Sequence, residues 1–530
     1  MKSRSFCALL FMLLLFAACT PAEEPPSLFV SLVADGRQLT FEYRVPVTVA
    51  EFLRDAEVEI SEQDRVDPPL YTQITDGMRV TIVRVSERTE CERQEIPFRQ
   101  RPVLNEGLRP GEELLAQAGR NGVEEICYSV RIEDGAAQGR SEISRVVVEA
   151  PQDELIYVAP TGELDPVPIT GTLAYVSSGN AWVMRGSSTA KTPITTDGGL
   201  DQRVFSLSAD GRQLLFTRSG GQNSRPNFLN QLWYIADTSG PSAPVQLVPE
   251  DVLHAAWLPG QENTISYSTG EAQPTPPGWR AFNDLWLMRI DPVTGDPLSI
   301  NTVLEPSTGG LYGWWGTTYE WSPDGEALAW VQADAVGVVD LDTGDLTPLL
   351  NFPLFNTRAD WSWRATVSWS PDSSQILTTV HGAPVGSEPP EFSPLFNVAV
   401  VDAGGAFSAE VVPGVGIWAS PRYSPPFAQG GSEFSSGYIA YLKARDIANS
   451  INPQAEYDLI VADRDGSNAR VVFPDSGQPG LTAPQALAWS PDARQIAFIY
   501  QGNLWVVDVV SEVAHQLTLD GAAAHPVWTS

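Results

Sequence analysis

Histidines stand at 254, 381, 515 and 525 only, and none lies in a motif that would give it catalytic work. The chain has no HExxH, which sets two zinc ligands one helical turn apart, and no Gly-rich phosphate loop ending in Lys-Ser/Thr. It also lacks Gly-x-Ser-x-Gly, the strained turn that exposes a nucleophilic serine. DRDG (463–466) and DLDTGD (340–345) open like calcium loops but lack the remaining ligands, and read as turns between strands. No CxxC or Cys/His cluster makes a zinc site, and no pair of acids singles itself out for glycoside chemistry. The expectation is a protein that is not an enzyme and holds no metal or cofactor. The residue types that remain suggestive are aromatic: Trp279, Phe282, Tyr312, Trp314, Trp315, Phe355, Trp361 and Trp363. Rings with a polar edge bury large area with few rotors, which suits binding, and Trp makes a platform for sugar rings. Trp279, Tyr312, Trp314, Trp315, Trp361 and Trp363 are the candidate ligand-binding residues.

These aromatics lie in long loops, TGEAQPTPPGWRAFND (269–284), EPSTGGLYGWWGTTYE (305–320) and NFPLFNTRADWSWRAT (351–366). The loops punctuate a repeat. An apolar strand recurs seven times, as TLAYVSS (172–178), QLLFTRS (213–219), TISYSTG (264–270), ALAWVQA (327–333), QILTTVH (375–381), YIAYLKA (438–444) and QIAFIYQ (495–501). A second strand follows each, as in LWYIAD (232–237) and FNVAVVD (396–402). An opening phrase precedes six of them, including EWSPDG (320–325), SWSPD (368–372) and AWSPD (488–492). Pro-Asp-Gly supplies a tight turn, and the Trp covers a seam between neighbouring sheets. The first repeat lacks its opener, and HPVWTS (525–530) is an opener with nothing after it. The last strand is therefore expected beside 172–178, completing a radial array and removing an exposed sheet edge. RYSPP (422–426) and the polar insert SPPFAQGGSEFSSG (424–437) make the sixth repeat the most divergent.

This phrase-and-strand order resembles the TolB-type β-propeller over 159–530, which implies seven blades and a binding or scaffolding role. The same propellers also occur as lids on serine peptidases of the prolyl oligopeptidase kind. Those carry a hydrolase domain, for which the chain offers no elbow motif.

Two smaller segments come first. LFVSLVADGRQLTFEYR reads as a hairpin through a DG turn. TVAEFLRDA reads as a helix capped by Thr48 with Val49, Phe52 and Leu53 on one face, and ITDGMRVTIVRV as a closing strand. Residues 28–85 resemble the ubiquitin-like domain that precedes surface-anchoring modules in resuscitation-promoting factors. Residues 86–158, with glycines at 107, 111, 119, 122 and 135, resemble the G-five domain. That likeness implies an elongated β module and the family's proposed binding of N-acetylglucosamine-containing polymers.

The start of the chain reads as an export signal. MKSR is basic, FCALLFMLLLF is apolar but too short to span a bilayer, and FAAC ends on Cys19. FAAC resembles a bacterial lipobox, with Phe16 where the family usually has Leu; the likeness implies lipidation of Cys19 after removal of 1–19. TPAEEPPS (20–27) is an acidic tether. Cys91 and Cys127 are then the cysteines left in the mature body, and an oxidising compartment favours their pairing as a disulfide. With 65 acids against 33 bases the net charge is −32, which excludes nucleic acid as a partner because no basic stripe exists to hold phosphates. The expected fold is mainly β. The expected location is the envelope, on a lipid anchor in the membrane. The partner expected is a cell-wall glycan, or alternatively an envelope protein.

Overall fold

The computed structural model describes residues 27–104, 108, 112–159, 164–219, 228–240, 242–428 and 435–530. The export signal, Cys19, most of the tether and Gly107 and Gly111 lie outside these residues. The chain divides into two compact units.

The first unit comprises the described residues up to Arg99 together with Gly119–Asp153. Leu28–Ala34 and Arg37–Tyr43 form the expected hairpin, and Leu28–Ala34 pairs in parallel with Arg79–Val83. A helix, Val49–Asp55, covers this sheet. Thr48 caps it in a reciprocal box, accepting from the Glu51 amide while its own amide donates to the Glu51 carboxylate. Val49, Phe52 and Leu53 are buried against Val30, Leu32, Val80 and Ile82. A second, three-stranded sheet follows, built from Val85–Ile96, Gly122–Glu133 and Ala136–Glu149. Its long hairpin turns at Asp134-Gly135, both at positive φ (48° and 82°), the geometry that two-residue hairpins favour. Cys91 lies opposite Cys127 in this sheet, and the two are joined by a disulfide.

The second unit comprises Gln100–Ala118 and Glu154–Ser530. The segment 86–158 thus contributes strands to both units. Gln100–Leu104, Glu113–Gln117 and Glu154–Val158 make a small sheet whose Val103, Leu155 and Tyr157 pack into one cluster with Ile169, Leu173 and Trp182.

From 168 to 529 seven sheets succeed one another. In the first, Ala523–Thr529 pairs with Pro168–Ser177, with Val527 opposite Ala174 and Trp528 opposite Leu173. The other six begin at Leu200–Leu207, Val252–Trp257, Thr318–Trp321, Val367–Trp369, Arg422–Tyr423 and Ala488–Trp489. These opening strands touch from first sheet to second and onward to the sixth, and again from seventh to first, around a central channel.

The opening phrase does two jobs. Ser208, Ser322, Ser370 and Ser490 each donate to the Asp two residues on and accept the backbone amide five residues on, fixing the turn. The Trp binds sheet to sheet. Trp257 donates to Ser206 O, Trp321 to Ser266 Oγ and Trp369 to Glu320 O, each acceptor lying in the preceding sheet. Trp489 follows the divergent sixth sheet, and its buried Nε1 has no acceptor among the described residues.

Candidate functional site

The starts of five opening strands, near Gln202, Thr366, Ser420, Ala486 and Ala523, meet around one cavity at an end of the channel, beside the loop residues Trp363 and Arg364. The loop of the third sheet folds back as Trp279–Ala281 against Gly270–Ala272. Asn283 then organises the next loop. Its amide donates to Gly313 O (3.0 Å), and its Oδ1 accepts from the Thr317 amide and hydroxyl (2.9 Å each). Gly313 has to be glycine, since a Cβ there would lie 1.8 Å from Thr308 O. The resulting turn, Gly313–Trp315, presents Trp314 and Trp315.

The rings then pack against one another. Trp279 lies 4.8 Å from Trp315 between centroids and donates to Trp315 O. Trp314 meets Trp315 edge-on at 5.8 Å and Tyr312 at 6.2 Å. The Arg203 guanidinium covers Trp279 at 4.2 Å. Trp361 stacks on Trp418 at 5.5 Å. Trp279, Tyr312, Trp314, Trp315 and Trp361 are all half-buried, with part of each ring left to solvent.

Trp363 is the most buried of the candidates. It is 2% exposed, packs on Phe352 and Phe396, and donates to Ile417 O. It belongs to the core of the fifth sheet and also lines the cavity at the end of the channel. Phe355 is buried beside it. The sequence shows WSWR as two similar Trp residues. Only their placement, one beside Trp418 and one in the core, tells them apart.

Charge at this end comes from residues that no motif flags. Arg364 donates to Tyr312 O, Gly316 O and Trp363 O and also contacts Ser362 Oγ, tying two loops together. Burial draws its pKa down to about 10, so it remains a cation at neutral pH. Beside it a cavity of about 490 Å³ opens over the channel, lined among others by Gln202, Thr366, Thr379, Trp418 and His525. Gln202, Ser420 and His525 in its wall hold positive φ (64°, 44° and 48°), bending the chain as it enters three opening strands. The far end of the channel differs: a cavity of about 680 Å³ there is lined by Asp210, Glu262 and Glu320 with Arg212. Of the histidines, His381 is buried with its ring nitrogens 2.8 and 2.9 Å from Pro353 O and Ser393 O, a structural position.

Three family models match separate parts of the chain. The family model for the G5 domain matches residues 87–160, and that for the G5-linked ubiquitin-like domain matches 30–70. The model for the dipeptidyl peptidase IV N-terminal region matches 454–527. Resuscitation-promoting factor RpfB of Mycolicibacterium smegmatis is 21% identical over 157 residues, which is 29% of this chain and 43% of that protein. The chain therefore spans less than half the length of this relative. Similar solved structures include a protein assigned as a TolB in Agrobacterium tumefaciens (14% identity, 63% of this chain and 96% of that one, TM-score 0.33). They also include prolyl endopeptidases (16% identity, 66% of this chain and 49% of that one, TM-score 0.41). The chain is a mainly β protein that carries a G5-linked ubiquitin-like domain, a G5 domain and a propeller.

Proposed function

We propose that this chain is a non-enzymatic binding protein of the cell envelope, whose G5 region is directed to cell-wall glycan and whose propeller offers its loop-bearing end as the binding platform. The observation that carries the reading is the pairing of the G5 match at 87–160 with its linked ubiquitin-like match at 30–70, in a chain 21% identical over 157 residues to a resuscitation-promoting factor. Attachment to the membrane through a lipid on Cys19 is part of the proposal. A protein partner at the platform is the second reading, favoured by Leu311, an apolar side chain left 55% exposed among the aromatic loops. The full chain, sedimented with purified peptidoglycan, should be retained and then released by soluble N-acetylglucosamine oligomers. Retention no greater than that of an unrelated acidic protein would remove the glycan from the account.

A further inference from the structure

We propose that the cavity over the channel, between the fifth, sixth, seventh, first and second sheets, binds a small polyhydroxylated carboxylate, the chemistry of a sugar acid or an acidic sugar unit. The inference rests on the platform reading above and gives that platform a ligand class. Three observations carry it.

The first is a pair of hydroxyls. Thr379 is 1% exposed, lines the cavity, and its Oγ1 has no hydrogen-bond partner among the described residues. Thr366, one register step beyond the pair Val367↔Thr378 and so opposite Thr379, also has a buried Oγ1 without a partner among the described residues. An unmet hydroxyl costs about 1–3 kcal/mol. A cavity wall holding two of them suits a ligand that brings hydroxyls of its own.

The second is charge. Among the described residues no Asp or Glu lines this cavity, although acids outnumber bases 65 to 33 in the chain. Arg364 lines it, and every bond its guanidinium makes runs to a neutral oxygen. Among the described residues it forms no ion pair, and Asp334, the acid that acts on it from a distance, stands outside the cavity wall. A half-buried cation without a carboxylate is an uncompensated charge, and a ligand carboxylate compensates it. The acidic cavity at the other end of the channel shows that this lining is local, not general.

The third is shape. The volume, about 490 Å³, lies in the range of small-molecule sites. Trp418, Ile417 and Ile499 give it an apolar wall for the carbon face of a ring.

Three probes separate the parts of the claim, each titrated into the full chain by calorimetry and Trp fluorescence: D-glucuronate, D-glucose and cyclohexanecarboxylate. Glucuronate should bind. Glucose lacks the carboxylate and cyclohexanecarboxylate lacks the hydroxyls, so each should bind at least about tenfold more weakly. Thr379→Val should weaken glucuronate about tenfold without lowering the melting temperature, because it deletes a hydroxyl that has no partner. Arg364→Gln should abolish binding, but it also loosens two loops, so Thr379→Val is the deciding variant. No glucuronate binding at about 10 mM, the weak end of specific recognition, would overturn the proposal as a cavity that holds only water. So would equal binding of glucose, or unchanged affinity in Thr379→Val. Failure here with peptidoglycan retention intact sinks the ligand class and leaves the envelope reading standing.

Discussion

His254 shows how the channel shapes a single residue. The residue is partly exposed, yet Nε2 is buried and has no hydrogen-bond partner among the described residues. Desolvation lowers its pKa from 6.5 to about 4, so the folded protein keeps it neutral. Desolvation moves His525 in the same direction. The unfolded chain binds the His254 proton near pH 6.5, and the folded chain does not until pH falls near 4. Stability is therefore complete above about pH 6.5 and falls as pH drops toward 4, by up to about 3 kcal/mol for His254. Urea melts at pH 7 and pH 5 check this: His254→Leu should lose less stability between the two than the parent. An identical loss would show that the imidazole is not desolvated in the fold. At this scale the sequence exposes some roles and hides others. The opening-phrase Trp residues announce a seam, and the indoles of Trp257, Trp321 and Trp369 do bridge sheets. The role of the phrase's Ser is invisible until its hydroxyl is seen to bind both Asp and amide. Thr366, Thr379 and Arg364 carry no motif, because what makes them notable is the partners they lack.

The loops are where the sequence and the structure part most. Composition and length place the aromatics on one end of the propeller, but cannot say which ring pins a loop and which meets solvent. The Asn283 amide sets the turn that carries Trp314 and Trp315, and nothing in AFND advertises that. Trp363 is a core side chain and Trp314 a partly open one, so their truncation should separate cleanly. Trp363→Ala should cost about 3–5 kcal/mol, the range for emptying a buried large aromatic. Trp314→Ala should cost about 1 kcal/mol or less, as for an ordinary surface change. Denaturant midpoints at unchanged slope measure both. Equal losses would mean that Trp314 also pins the loop, and would withdraw it from the platform. The helix at 49–55 lies at the legible extreme, since Thr48 and Glu51 three residues apart already specify its cap.

Across the whole molecule, order along the chain was readable because each repeat must fold the same small sheet. Each of the seven quoted strands falls in a different sheet. The division of residues 86–158 between two units was not readable, since it depends on Leu155 and Tyr157 packing near Trp182, far along the chain. The cavity was hidden for the same reason: its wall draws on five sheets whose residues lie as far apart as Gln202 and His525. The central claim is that the loop-bearing end of the propeller is what meets a ligand or partner. Site-specific photocrosslinking in intact cells tests it most directly, with the photoreactive residue placed at Leu311 on that end or at Gln261 on the opposite end. The account predicts a discrete adduct, on cell-wall glycan or on one envelope protein, from position 311 and none from 261. An adduct from 261 alone, or none from either, would contradict it.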